Sequence, residues 1–412
     1  MKYLFPFVFL ALTTTAFSQT TVGLVGYYTF DGIFTDITGN SANEGTATGN
    51  PTFDCGVSGD ALVLDGVDDF IIVKGDAGSI NDEFSTEDFT VSFYFKPVGK
   101  AGTPYILSKR SEDCMFEQYF YVRYSPFTET INGVLTEDMK VVSVARGLDP
   151  GNCWQHVALA RDGNRLILYI NGAFAAEIGT SSRVDIFNDG DFTIGGGNCR
   201  SGSEPLFSGL IDELRIYNRA LDEEEVAGLY FSPDKIAIRD TLIFLGSEVD
   251  VEITSSCATA YQWTPGTDIS SVSEAEPTIT PSFPAADPPL TYKVNMVDQV
   301  YGCISTDSIN ITVIDPDQLD CRTLYLPRAF TPNGDGLNDT YGISNPFSVQ
   351  NLISFEIYDR WGSRLFITED AFQQWDGTFK GEKVNSGVFL YKLRYVCNDI
   401  ERFASGNLTI IR

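Results

Sequence analysis

Short runs of aromatic and β-branched residues, each closed by a turn, recur along this chain almost from end to end. VGLVGYYTF, FIIV, FTVSFYFKP, YFYVRY, NRLILYING and GLIDELRIY are the clearest in its first half. Such side chains suit a pleated surface, and Asp-Gly and Asn-Gly pairs supply the positive φ that tight hairpins need. Asp162-Gly163-Asn164 and Asn171-Gly172 place two such turns inside ARDGNRLILYING. About eleven short strands in the first ~210 residues predict two packed antiparallel sheets. Only LDEEEVAGLYF reads as helical, with Leu221, Glu225 or Val226, and Leu229 on one apolar side.

Composition narrows what such a chain can do. Across 412 residues, 56 Asp and Glu face 28 Lys and Arg, a net charge of -28 that argues against a nucleic-acid partner. A single His argues against His-dependent acid–base or triad chemistry and leaves carboxylate chemistry open. The start, MKYLFPFVFLALTTTAFSQT, has Lys2, an apolar run from Tyr3 to Leu12, and small residues before Gln19. That pattern predicts a secretory signal over 1–18, cut after Ser18; the run is too short for a membrane span, and no later stretch provides one. The mature chain is expected in soluble form at the cell surface or beyond, after passage through the periplasm.

Eight cysteines without a CxxC suit an oxidising compartment and indicate no thioredoxin-type or zinc site. They divide as four, two and two among three segments, 19–232, 233–315 and 318–412. Bridges closed within each segment pair Cys257 with Cys303 and Cys321 with Cys397. In the first segment three connectivities remain, with Cys114–Cys153 and Cys55–Cys199 preferred because Cys114 and Cys153 precede strands expected to start at one end of a sheet.

In the first segment, GDALVLDGVDDFIIV, FTVSFYFKP, WQHVALARDGNRLILYINGAFAA, FTIGG and FSGLIDELRIYNRALDEEEVAGLY stand in an order that resembles the laminin-G-like branch of the concanavalin A-like jelly rolls. The resemblance implies a jelly-roll sandwich, often with a structural calcium and a glycan or protein ligand. In the second, YQWTPG, TYKVNMVD and GCISTDSINITV resemble the Ig-like and PKD-like spacers of bacterial surface proteins. In the third, FTPNGDGLND, FEIYDRWGSRLF, WDGTFKG and SGVFLYKLRY resemble the gliding-motility-associated C-terminal domain, a type B sorting signal of type IX secretion in Bacteroidota. That resemblance implies the secretion machinery as partner. The expected architecture is all-β: a jelly-roll head followed by two small antiparallel sandwiches. The closing strand LTII would offer a receptor a handle.

Three groups of residues are candidates for function. In DGIFTDITGNSAN, Asp36, Thr38 and Asn40 are hard oxygen donors. A period-2 reading of GLIDELRIY sets Asp212 on one face with Leu210, Leu214 and Ile216, where a lone carboxylate is costly unless satisfied. By resemblance Asp36, Asn40 and Asp212 form a calcium clamp; turn and cap roles are the plainer alternative. In YFYVRY, Tyr119, Tyr121 and Arg123 share a face suited to sugar stacking, or equally to a covered sheet face. Trp154 is expected in the core, and His156 as an ordinary strand residue. Asp68 and Asp69 read as turn residues, and Asn333, Asp335, Asn338 and Asp339 as a rigid turn rather than a calcium loop.

Glucanases on this scaffold resemble one another in carrying Glu-x-Asp-x-x-Glu on one strand, and that run does not occur here. Asp222 to Glu225 belong to the start of the expected helix, where acids favour its dipole. The expectation is therefore a non-catalytic protein that binds a glycan or a partner protein. A structural surface component, or a hydrolase or its accessory subunit, are the alternatives.

Overall fold

The computed structural model describes residues 19–111, 114, 118–197, 204–315, 318–333, 338–349 and 351–411. The expected leader, Cys199 and Asp335 lie outside the described residues. The chain is β almost throughout, with a single α-helix among the described residues. It divides into two compact units. The first takes the chain up to Arg239 with Asp250–Ile279 and Thr291–Ile309; the second takes Asp240–Val249, Thr280–Leu290 and Asn310–Arg412. Residues expected as a middle module are thus shared between the two.

Among the described residues, fifteen strands build the head within the first unit: β1 Leu24–Tyr28, β2 Gly45–Thr48, β3 Thr52–Cys55, β4 Asp60–Asp65, β5 Phe70–Val73, β6 Phe89–Pro97, β7 Tyr105–Lys109 and β8 Tyr119–Ser125, then β9 Thr130–Glu137, β10 Lys140–Gly147, β11 Gln155–Asp162, β12 Arg165–Ile170, β13 Ala173–Gly179, β14 Phe192–Ile194 and β15 Ser208–Tyr217. One sheet runs β13-β12-β11-β6-β15-β4-β3, with β1 also on β15. The other runs β10-β9-β8-β7-β14-β5-β2. The alternation read in the sequence sets the packing. Phe89, Val91, Phe93 and Phe95 of β6 meet Phe120 and Val122 of β8 in one core between the sheets. Each such side chain contributes about 1.5–3 kcal/mol by leaving water. The β12–β13 turn shows why Asn-Gly stands there, since Asn171 and Gly172 both take positive φ, 50° and 77°.

Strand β6 is buried on both sides. Thr90, Ser92, Tyr94 and Lys96 point away from the core, yet each is at most 1% exposed. Helix α1, Glu223–Gly228, covers part of that outer face. Asp222 and Glu225 form its capping box, and Leu221, Val226 and Leu229 pack on Ala158, Ala160 and Tyr217. Val226 rather than Glu225 completes the apolar side, because Glu225 is held by Arg219 at 2.6 Å.

The rest of that face is covered by the segments 250–279 and 291–309. Here the expected cysteine pairing is overturned: Cys55 bonds Cys257, and Cys153 bonds Cys303. Neither Cys257–Cys303, Cys114–Cys153 nor Cys55–Cys199 is formed. The reason is that residues 303–306 lie along 151–153, with Cys153 N donating to Ser305 Oγ at 2.9 Å and Thr306 N to Gly151 O at 3.1 Å. Cys114 is also disulfide-bonded. Lys96 Nζ meets Asp298 Oδ2 at 2.6 Å, with both side chains almost fully buried. The ammonium also lies 5.0 Å from the Trp154 ring and 5.3 Å from that of Tyr301. In the same unit Ala260–Thr264 pairs antiparallel with residues 293–297, and Trp263 is buried with Nε1 donating to Glu274 O.

In the second unit a five-stranded sheet has the order Ala329–Phe330, Ile400–Ile410, Gly387–Cys397, Asn351–Tyr358, Arg364–Thr368. Phe330, Tyr341, Phe355, Trp375, Leu393 and Leu408 fill its core, and Cys321 bonds Cys397 as expected. The expected terminal handle is not a free edge. Thr409 and Ile410 pair with Ala329 and Phe330 on one side and with Val388 and Gly387 on the other.

Candidate functional site

The alternation in β8 puts Phe120, Val122 and Tyr124 into the core and leaves Tyr119, Tyr121 and Arg123 half-buried on the outer face. Antiparallel pairing sets Arg123 opposite Tyr105 and Tyr121 opposite Ser108 on β7. On the other side, Arg123 faces Asn132 and Tyr121 faces Val134 on β9. The rings of Tyr119 and Tyr121 stack with centroids 5.8 Å apart and planes 14° from parallel. Tyr105 meets Tyr121 edge-on at 5.3 Å.

Two arginines fix this row. The Arg123 guanidinium lies 3.9 Å from the Tyr105 centroid and 4.7 Å from that of Tyr121, bonds the Tyr105 hydroxyl, and meets Glu204 at 3.0 Å. Arg110 lies 4.5 Å from the ring of Tyr119. Loss of water raises the hydroxyls of Tyr105 and Tyr121 above the ordinary tyrosine range, so both stay protonated donors at neutral pH. The three residues expected from sequence are thus brought together. Tyr105, Arg110 and Glu204 join them without any signal in the strand periodicity: Tyr105 lies on the neighbouring strand β7, and Arg110 and Glu204 lie outside the strands.

The residues of the expected calcium clamp each have protein partners. Asp36 hangs on β1: Oδ1 accepts from Tyr27 N at 2.8 Å and Thr38 N at 2.9 Å, and Oδ2 from Thr38 Oγ1 and Asn43 Nδ2. Asn40 Oδ1 accepts from Ala42 N, and its amide donates to Gly78 O. Both side chains already hydrogen-bond to protein groups, near and distant in sequence. Asp212 sits elsewhere, with Oδ2 accepting from Val57 N at 2.8 Å and Ser58 N at 3.3 Å, and no partner on Oδ1. Among the described residues no hydrogen bond links it to Asp36 or Asn40.

The face of Asp212 is also not the one its spacing predicts. Glu213 takes φ 54°, and pairing with β6 slips between Asp212 and Arg215. This bulge shifts the phase of β15, so Leu214 and Ile216 enter the core with Ile211 while Asp212 stays outside with Leu210. Burial, and then the neighbouring Glu213, raise the Asp212 carboxyl to about 8. A different group, Asp65, Asp68 and Asp69, brings carboxylate oxygens within 4.8 Å of one another and could hold a cation. Its acids already accept turn N–H groups, Asp65 from Val67 and Asp68, and Asp69 from Asn50 and Asp65.

One pair has the look of a nucleophile and its base: Ser92 Oγ lies 2.8 Å from His156 Nε2. Both are fully buried, Nδ1 has no orienting partner, and burial lowers the imidazole to about 3. No substrate reaches such a pair. Trp154 is 2% exposed and belongs to the packing under Lys96.

Residues 73–227 match the Laminin_G_3 family model, the concanavalin A-like lectin/glucanases superfamily. Residues 324–410 match the CHU_C type IX secretion signal domain. The chain therefore carries a concanavalin A-like lectin-type domain and a C-terminal type IX secretion signal domain. The secretion machinery is its partner, and the cell surface or beyond its destination. No curated protein matches the chain. Among solved structures it is similar to domain 4 of AbnA, a GH43 extracellular arabinanase from Geobacillus stearothermophilus in complex with arabinotriose. That match has 26% identity and a TM-score of 0.40, covering 50% of this chain and 97% of that one. It is also similar to the CBM40 of the Ruminococcus gnavus IT-sialidase bound to α2,3 sialyllactose, at 14% identity, 41% and 95% coverage and a TM-score of 0.37. The binding domain of Paraclostridial Mosquitocidal Protein 1 matches at 14% identity, 92% and 88% coverage and 0.45. At these TM-scores the likenesses carry no functional weight. No helix among the described residues is long and apolar enough to cross a membrane.

Proposed function

We propose that the chain is an exported, non-catalytic glycan-binding protein. Its head holds the sugar against Tyr119 and Tyr121, and its C-terminal domain delivers it. The observation that carries this reading is the stacked tyrosine pair on an outward sheet face, held by Arg123. Two nearly parallel rings offer apolar faces to sugar C–H groups, while the phenol hydroxyls and the Asn132 amide on β9 offer polar contacts. Rings already fixed by cation–π contact lose little freedom on binding. The leader takes the chain into the periplasm, where its disulfides form, before the type IX machinery exports it.

A glycan array probed with the exported chain, followed by titration of the best ligand, tests this. Tyr121→Ala is expected to weaken binding at least tenfold with an unchanged melting temperature. An array without hits would leave the head a structural surface component. Binding insensitive to Tyr119 and Tyr121 would place the glycan elsewhere.

A further inference from the structure

The outer face of the other sheet carries a second, different site. Helix α1 covers β11 and part of β12, and beyond Leu221 its cover ends. There a hollow of about 420 Å³ is left between β12, β13 and residues 220–223. Ile167 and Tyr169 line it from the sheet, and Phe174 of β13 stands beside Tyr169 edge-on at 6.3 Å. Phe174 is 49% exposed, so its ring face is open to a ligand. Tyr169 is only 5% exposed, and its hydroxyl has no hydrogen-bond partner among the described residues although it lines the hollow. A hydroxyl so placed gains from any polar group that enters.

The lining also has an excess of one charge. Arg165 bonds Asp162 and lies 3.4 Å from Glu177, so one guanidinium serves two carboxylates. On the opposite wall Asp222 caps α1, and the carboxylate of Glu223 has no partner among the described residues. Four acids therefore face one base around an aromatic wall. A neutral ligand would leave that excess unmatched, whereas a cation meets it and also gains from the ring face. The net charge of the whole chain, -28, favours cationic over anionic partners at a distance.

We propose that this hollow binds a lysine or arginine side chain from a basic segment of a partner protein. The aliphatic stem packs along Ile167 and Phe174, and the charged end lies among Glu177, Glu223 and the Tyr169 hydroxyl. The site is independent of the tyrosine row on the other sheet.

Fluorescence polarisation of the whole exported chain with a labelled Gly-Arg repeat peptide tests the assignment, with the same peptide carrying citrulline for arginine as the neutral control. Saturable binding of the arginine peptide is expected, weakened at least tenfold by Phe174→Ala and about threefold by Glu223→Gln. Both changes lie on exposed surface, and melting temperatures check that each variant is folded. Arg165→Gln gives the decisive sign. Removing the one base that lines the hollow should tighten binding several-fold, whereas a ligand that used Arg165 as a donor would be lost. Tyr121→Ala should leave peptide binding unchanged. Equal binding of the citrulline peptide, indifference to Phe174→Ala, or weaker binding by Arg165→Gln would each overturn the proposal.

Discussion

Asp212→Asn tests the consequence of burying the Asp212 carboxyl. The wild-type carboxyl is raised to about 8 by burial and by Glu213, against the pull of the Ser58, Val57 and Glu213 backbone N–H groups. An unfolded aspartate titrates near ~3.9. Between those two values the folded chain keeps a proton that the unfolded chain has released, so stability falls as pH rises. The loss is up to ~1.4 kcal/mol per pH unit, on the order of 5 kcal/mol across the window, and it ends above 8. Asparagine removes the titration, while its amide oxygen keeps the bonds from Val57 and Ser58. Urea unfolding of the exported chain, disulfides intact and EDTA present, should separate wild type and variant by only about 1–2 kcal/mol at pH 5. At pH 8.5 the variant should be several kcal/mol more stable. Lys109, lowered to about 8 by burial, works in the opposite sense above that pH, but it is common to both proteins and cancels in their difference. Parallel pH curves for the two proteins would refute this account. So would calcium at pH 8.5 stabilising the wild type alone, since that would make Asp212 a charged cation ligand.

Lys96→Met strands Asp298 as a buried unpaired charge and should cost about 3–5 kcal/mol, with much of it recovered in the double variant Lys96→Met/Asp298→Asn. A cost below ~1 kcal/mol in urea unfolding would show that water reaches the pair. Non-reducing peptide mapping should return Cys55–Cys257, Cys153–Cys303 and Cys321–Cys397. Replacing Cys153 and Cys303 together by Ala should cost about 2–5 kcal/mol. Removing residues 318–412 should hold the chain inside the cell envelope. Cell fractionation that finds the truncated protein efficiently outside would contradict the export role of the C-terminal domain.

What is legible in the sequence is whatever depends on neighbours along one strand. The phase of YFYVRY follows from alternation alone, which sets Tyr119, Tyr121 and Arg123 outward. The phase of GLIDELRIY does not, because a bulge at Glu213 interrupts it and glutamate gives no warning that it will take a left-handed conformation. Asp36 departs from expectation for the opposite reason. Its partners Thr38 and Asn43 stand only two and seven residues away, and local bonding to backbone and side chains satisfies such an acid before any cation is needed.

The cysteines mark the limit of arguing module by module. Pairing by even partition assumes that each segment covers its own core, and β6 shows that the head does not. FTVSFYFKP ends its outward set, Thr90, Ser92 and Tyr94, with Lys96, all of them buried. A lysine closing an aromatic strand either reaches water or needs an acid brought to it, and no nearby residue of the head supplies one among the described residues. Asp298 does, from a segment more than two hundred residues later, and the two cross-links Cys55–Cys257 and Cys153–Cys303 hold that segment in place. The segments 250–279 and 291–309 are therefore better understood as the missing cover of the head than as part of a spacer. A head expressed without them would expose Tyr94, Trp154 and Leu210 and leave Lys96 without its carboxylate.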